Sequence, residues 1–285
     1  MQEIRFFKYQ GAGNDFVVLD NRKGAFSSLT EKQIARLCHR RFGIGADGLM
    51  MLEEASTGAS ARFKMAFYNS DGRAGSMCGN GGRCICAFAL SLGLVKRGES
   101  FSFEAPDGLH EACIWEGEDV AETVALKMRD VERWEFDEKR HIYLIDTGSP
   151  HYIRFVKNCN KIDVVNEGKR IRYSEEFPAG INVDFVEILK EGDLWVRTYE
   201  RGVEDETFAC GTGVTASALA FALEKDWGDT GGIPHHDIKI HTKGGTLRVS
   251  FDVFMVFSQP HLPCIFRNIT LTGPACKVFE GVYRG

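Results

Sequence analysis

Two stretches of this 285-residue chain place residues that could do chemistry in matching settings. The first is Met77-Cys78-Gly79-Asn80-Gly81-Gly82-Arg83, and the second is Ala209-Cys210-Gly211-Thr212-Gly213. In each, a cysteine precedes Gly-x-Gly and then an apolar run of helical length, CICAFALSLGL in the first and VTASALAFALEK in the second. A thiol at the mouth of a helix lies near the positive end of its dipole, beside N–H groups without intrahelical partners. Such a setting favours thiolate, drawing the thiol from a pKa of roughly 8.5 toward working pH, and it offers a seat for an anion. Two opposed thiols can work as a pair: one thiolate removes a proton from a carbon while the other thiol delivers one to the opposite face, inverting configuration. The N–H groups after each cysteine could hold a substrate carboxylate and stabilise the charge that develops. Nothing in these motifs suggests a Schiff-base lysine or a phosphate loop, so no cofactor is expected.

The elements around the two cysteines repeat. Residues 4–8 and 16–20 read as strands flanking Gln10-Gly11-Ala12-Gly13-Asn14-Asp15. Thr30 and Gln33 have capping-box spacing, so a helix is predicted from Thr30 to near Gly43, with Gly43 in the left-handed conformation that ends helices. Strands follow in IGADGLMML and RFKMAFY, then a turn at Asn69-Ser70-Asp71-Gly72, then the first cysteine and a helix to about Leu92. SFSFEA, EACIWE, TVALKM and HIYLID read as strands. The pattern then restarts: Thr147-Gly148-Ser149-Pro150-His151 before YIRFV parallels the Gly11–Asp15 loop before FVVLD, and the Phe177–Asp184 stretch parallels Phe42–Asp47. Gly13 to Gly148 spans 148 − 13 = 135 residues and Cys78 to Cys210 spans 210 − 78 = 132, offsets close enough to indicate two copies of one unit. A hairpin-like IKIHTKGGTLRVSF and a final strand LTGPACKVFEG complete the chain. With no flexible linker visible, the predicted division is 1–118 and 119–271, with 272–285 returning to the first half.

Composition bounds the partners. A net charge of −5 gives no basic footprint for nucleic acid and no polybasic membrane patch. No apolar run nears the roughly 20 residues needed to span a bilayer, and MQEIRFFKYQG has no signal-peptide pattern. Nine cysteines without an export signal read as reduced thiols, so a cytoplasmic location is expected.

In order and at family-like spacing, KYQGAGNDFVVLD, YNSDGRAGSMCGNGGRC, GSPHYIRFV, FPAGINVDFV, YERGVEDETFACGTG and the terminal TGPA and VFEG resemble the diaminopimelate epimerases. The resemblance implies an α/β (α+β) fold of two pseudo-symmetric domains, each a strand-rich layer wrapped around a central helix, usually as a homodimer. It further implies cofactor-independent interconversion of LL- and meso-diaminopimelate, a small-molecule amino-acid substrate, in lysine and cell-wall biosynthesis. By the same resemblance Cys78 and Cys210 are the acid–base pair, and His151 and Glu200 tune their pKa values. Gly79, Asn80, Gly211 and Thr212 would meet the reacting carboxylate, while Asn14, Asn69, Asn182, Glu200 and Arg201 would bind the rest of the substrate. A carboxyl suits an ammonium, and a guanidinium suits a carboxylate. One position departs: Ser149 stands where the family commonly has asparagine, offering a shorter hydroxyl in place of an amide. That departure keeps a racemase of another amino acid open as the alternative.

Blander readings apply elsewhere. Cys38, Cys113, Cys159, Cys264 and Cys276 read as small buried hydrophobes, as do Cys84 and Cys86 inside the helix after Cys78. Zinc-type Cys-x2-Cys spacing is missing, and no metal site is expected. A thiol hydrolase pairing one cysteine with His151 would leave the second cysteine without a role. Arg83 and Asp71 read as local structural partners.

Overall fold

A computed structural model of the chain describes residues 3–56, 58, 60–75, 77–118, 121–224, 234–255 and 264–285. By its internal contacts the chain divides into two units, Met1–Leu126 with Gly273–Gly285, and Lys127–Thr272.

The first unit opens with β1 (Glu3–Gly11) and β2 (Asn14–Asp20), an antiparallel pair. Ala12 and Gly13 join them, both at positive φ (51° and 83°), the requirement of the tight hairpin turn whose twist matches its strands. Helix α1 (Glu31–Cys38) leads to β3 (Gly48–Glu53), parallel to β2, and β4 (Lys64–Asn69) runs antiparallel to β3. Then come α2 (Gly79–Ser91), β5 (Phe101–Ala105), β6 (Gly108–Glu116) and β7 (Ala121–Lys127).

In the second unit the order is β8 (Trp134–Asp137), β9 (Ile142–Asp146), β10 (Pro150–Phe155), α3 (Val164–Arg172), β11 (Asn182–Ile188) and β12 (Leu194–Glu200). The short β13 (Asp205–Thr207), α4 (Gly211–Glu224), β14 (His235–Thr242), β15 (Gly245–Met255) and the long β16 (Cys264–Arg284) follow. The repeat is visible in the registers. Phe16 lies opposite Gly48 in one parallel pair and His151 opposite Asn182 in the other, with offsets 151 − 16 = 135 and 182 − 48 = 134.

Strand β16 serves both units. Its residues 264–272 pair with β15, and residues 273–276 pair with β7. Residues 276–284 pair with β1, so the sheet of the first unit closes on itself. A closed sheet leaves no free edge and encloses a space that must be filled. Helix α2 fills it: every residue from Gly79 to Ala89 is buried, packed among Phe16, Met50, Phe63, Phe103, Ile114 and Leu126. Helix α4 is as deeply buried and packs against β9, β10, β11, β12, β14 and β15. A helix apolar on all sides has no face to offer water, so it becomes a core. Its few hydroxyls are satisfied internally, Thr215 donating to the Gly211 carbonyl and Ser217 to that of Gly213, each at 2.8 Å.

Several details differ from the sequence reading. Helix α1 begins at the expected capping box, with the Thr30 side chain accepting from Gln33 N and Gln33 accepting from Thr30 N, but it ends at Cys38. Gly43 lies beyond the helix, and it is glycine because a Cβ there would fall 1.9 Å from the Arg36 carbonyl oxygen. Helix α3 was not expected. By internal contacts the units change over at 126/127, where the sequence reading placed 118/119, because β7 is hydrogen-bonded to β6 and to residues 273–276 of β16. The last strand is 21 residues long, well beyond LTGPACKVFEG.

Candidate active site

Each cysteine of the Cys-Gly-x-Gly motifs caps a buried helix. The Cys78 carbonyl accepts from Gly82 N at 2.7 Å and the Cys210 carbonyl from Val214 N at 2.9 Å, the first helical bond in each case. Cys78 has extended backbone angles (φ −112°, ψ 125°) and makes no side-chain cap bond, so its sulfur does not cover the N–H groups of the first turn.

Around Cys78 the partners are amides. Its thiol donates to Asn14 Oδ1 at 3.6 Å, and Asn80 Nδ2 approaches the same oxygen at 3.5 Å. Asn14 is oriented from behind, since its Nδ2 donates to Asp47 Oδ2 at 2.6 Å, which turns Oδ1 toward the sulfur. Asp47 is held by Arg40 Nη2 at 2.5 Å, and that guanidinium also grips Asp15. Asn80 is oriented by Arg83, whose Nη2 donates to Asn80 Oδ1 at 2.8 Å. Arg83 is fully buried and otherwise donates to the carbonyls of Gly79 and Pro274; among the described residues no carboxylate pairs with it. Burial pulls its pKa down from the usual value. A buried cation thus lies one turn into the helix that Cys78 caps.

Around Cys210 the partners are ionisable. Its sulfur lies 3.4 Å from Thr212 Oγ1, which lies 2.9 Å from His151 Nε2. His151 Nδ1 is 2.6 Å from Asp184 Oδ2, with both residues wholly buried, and Thr198 Oγ1 donates to Asp184 Oδ1 at 2.6 Å. Asn182 Nδ2 donates to Ser149 Oγ at 2.8 Å and approaches His151 Nε2 at 3.4 Å, while its Oδ1 accepts from Arg201 N at 2.8 Å. Glu200 Oε2 accepts from Thr207 Oγ1 at 3.0 Å, and burial raises the Glu200 carboxyl. The Cys210 thiol is raised well above its usual pKa by burial first, then by the Glu200 and Asp184 carboxylates. The Thr212 hydroxyl and Gly213 N–H pull the other way and are outweighed. The expected lowering at a helix mouth therefore does not hold for Cys210, because the helix end is deeply buried beside two acids.

The predicted residues thus fall into two local clusters. Asn14, Cys78, Gly79 and Asn80 come together in the first unit; His151, Asn182, Glu200, Arg201, Cys210, Gly211 and Thr212 come together in the second. Asn69 stands at the exposed end of β4, outside the bonds that tie the first cluster. Arg201 is not in an ion pair with Glu200: Nη1 donates to the Ala179 and Gly180 carbonyls at 3.3 Å and Nη2 to Ser149 Oγ at 3.4 Å. Sequence reasoning overlooked Asp47, Asp184 and Thr198. Asp47 and Asp184 close the two stretches matched in the repeat, and that placement was the available signal. Cys84 and Cys86 are buried inside α2, as their spacing suggested.

The sequence matches the family model of diaminopimelate epimerase over residues 6–132 and 143–253. It is 45% identical to the diaminopimelate epimerase of Flavobacterium psychrophilum, over 97% of this chain and 99% of that protein. The chain belongs to the diaminopimelate epimerase family. The diaminopimelate epimerase of Chlorobaculum tepidum is 42% identical over 95% of this chain and 98% of its own length. A solved PhzF-family phenazine biosynthesis protein of Bacillus anthracis superposes with a TM-score of 0.73 over 100% of both chains at 15% identity. A probable proline racemase from Agrobacterium radiobacter K84 gives 0.65 at 17% identity, over 99% of this chain and 92% of its own. At such identities the two structures speak for the fold alone, the strand-rich α+β fold of diaminopimelate epimerase. The Ser149 hydroxyl faces Asn182 and Arg201.

Proposed function

We propose that the chain epimerises LL-diaminopimelate to the meso isomer, without a carbonyl cofactor, using Cys78 and Cys210 as the acid–base pair. The observation that carries the roles is that each cysteine caps one of the two helices buried over most of their length, in the two halves of a repeat. Cys210 rests as the thiol, since burial, Glu200 and Asp184 all disfavour its anion. Cys78, at the mouth of a helix that carries the buried Arg83 cation one turn in, serves as the thiolate. The N–H groups of Gly79, Asn80, Gly211 and Thr212 receive the carboxylate of the reacting carbon and the charge that builds as its proton leaves. Among the described residues Arg201 is bonded to neutral oxygens only, so it keeps capacity for the other carboxylate; Asn14, Asn69, Asn182 and Glu200 complete the binding set. The residue roles rest on the family's motif positions together with this local geometry. The reaction belongs to lysine and peptidoglycan biosynthesis, and we place the enzyme in the cytoplasm as a homodimer. Among the described residues no helix is long and apolar enough to cross a membrane.

The test is incubation with LL-diaminopimelate in deuterated water, without pyridoxal phosphate, read by NMR and chiral analysis. Loss of the Cα–H signal with appearance of the meso isomer is expected. A folded, reduced enzyme that leaves diaminopimelate untouched while racemising a single amino acid would overturn the substrate and favour the racemase reading, with Ser149 as the first position to revert.

A further inference from the structure

The turn that carries Glu200 and Arg201 is closed by a residue that does not suit its backbone. Strands β12 and β13 form a hairpin in which Glu200 lies opposite Asp205, so residues 201–204 are its loop. The Glu204 N–H closes the loop by donating to the Glu200 carbonyl at 2.8 Å. Glu204 does so at φ 59°, in the left-handed region where glycine fits without steric cost and other residues are uncommon. Its carboxylate accounts for its presence. Oε1 accepts from Gly202 N at 3.1 Å and pairs with Arg172 Nη2 at 3.1 Å, while Oε2 accepts from the Tyr199 hydroxyl at 3.3 Å. The Tyr173 hydroxyl adds a further hydrogen bond. Burial alone would raise this carboxyl, but these partners outweigh it and hold its pKa below the usual value.

Arg172, the last residue of α3, reaches a second support of Arg201. Its guanidinium fills the space beside Gly180, where a Cβ would fall 1.9 Å from Nη1, and Gly180 is itself at φ 73°. Arg201 Nη1 donates to the carbonyls of Ala179 and of that same Gly180, each at 3.3 Å. One ion pair therefore touches both the turn that carries the Arg201 backbone and the loop that seats its guanidinium. Among the described residues no other carboxylate pairs with Arg172, and its Nε is buried without a hydrogen-bond partner. Loss of Glu204 would strand that cation and loosen both supports. We propose that the Arg172–Glu204 pair positions Arg201 to receive the substrate carboxylate remote from the reacting carbon. Both are positioning residues, acting through Arg201, and together they favour amino acids that carry a second carboxylate.

This role rests on the epimerase reading, so the experiment has one arm with substrate and one without. Glu204→Gly relieves the left-handed backbone and removes the carboxylate. If the turn conformation alone mattered, this variant would match wild type. We expect its KM for diaminopimelate to rise about tenfold with kcat within about threefold, because the remote carboxylate is held equally in ground and transition states. Arg172→Met should do the same, and the double variant should go no further than either, since all three break one pair. Without substrate, hydrogen exchange at the Arg201, Gly202 and Glu204 amides should quicken about tenfold in Arg172→Met. A wild-type KM in either single variant, a fall in kcat at unchanged KM, or unaltered exchange in Arg172→Met would overturn the proposal. Should Arg172→Met not fold, Glu204→Gly decides by the same KM criterion. Wild-type inactivity on diaminopimelate sinks the substrate reading instead. The exchange arm then decides by itself, quickened exchange supporting the pair's hold on the turn and unaltered exchange overturning it.

Discussion

Removing the sulfur of Cys78 or Cys210 deletes one half of a proton-transfer pair, and the other half has no partner to invert with. We expect Cys78→Ala and Cys210→Ala each to lower kcat by about 10³ or more with unchanged circular dichroism. Near wild-type turnover by either variant would end the two-thiol account. The other cysteines separate by burial. Cys38 and Cys159 are pushed up to about 12 and Cys264 to about 11, in each case by burial, so these thiols stay protonated and unreactive at neutral pH. Brief alkylation of native protein at pH 8, mapped by mass spectrometry, should leave all three unmodified; labelling of Cys159 before the half-buried Cys78 would contradict this. The cysteine pair was legible in the sequence because its signal is local: a thiol, two glycines and an apolar helix within reach of one another. Asp184 was not, because its meaning comes from His151 on a neighbouring strand, 33 residues away (184 − 151), and His151 in turn meets Thr212 on a helix, 61 residues on (212 − 151).

At the level of the element, strands and buried helices were readable from period and apolarity, whereas their ends and the small helix were not. Helix α3 reads VVNEGKRIR, with charged residues through its last turn, and it buries only Val164 and Gly168. No apolar stripe announces it. Its definition comes from tertiary contact: a Cβ on Gly168 would fall 2.4 Å from Tyr199 Cβ, so the glycine lets α3 lie flat on β12. The Asp163 side chain, accepting from Asn166 N at 3.2 Å, starts it. The stretch after α1 makes the same point with a measurable consequence. Thr30→Ala removes an exposed cap and should cost about 1 kcal/mol. Gly43→Ala would drive a methyl into the carbonyls of Arg36 and Leu37, at 1.9 and 2.7 Å, neither of which can yield without unwinding α1. We expect about 3 kcal/mol, the upper end for overpacking. Urea titrations of both variants check the order, and a Gly43→Ala protein as stable as Thr30→Ala would show that the turn relaxes freely.

For the molecule as a whole, the acid limb of stability should reflect one buried ion cluster in the first unit. Lys8 is 6% exposed, pairs with Asp15 at 2.6 Å and also donates to the Gly45 carbonyl, while Arg40 grips Asp15 from outside. Burial alone would raise the Asp15 carboxyl, but the hydrogen bonds from Arg40 and Lys8 outweigh it and bring the pKa to about 2. An unfolded aspartate titrates near roughly 3.9. The fold therefore prefers the carboxylate, and the linked stability, about 2 kcal/mol, is fully present above roughly pH 4. It is lost as pH falls toward about 2, where the folded carboxyl also takes a proton. Asp15→Asn should mimic the acid form at neutral pH and leave the Lys8 ammonium buried against a neutral amide. We expect the variant to be about 2 kcal/mol or more less stable at pH 7, with the gap to wild type closing between about pH 4 and 2. Because the chain divides into two units, hydrogen exchange at the β1 and β2 amides is the better probe, reading the opening of the unit that holds the cluster. Adding Lys8→Met to Asp15→Asn should recover part of the loss, since it removes the cation that lacks its partner. A gap that stays constant with pH, or a double variant worse than the sum of its parts, would mean that Asp15 acts through the β1–β2 turn and not through its charge.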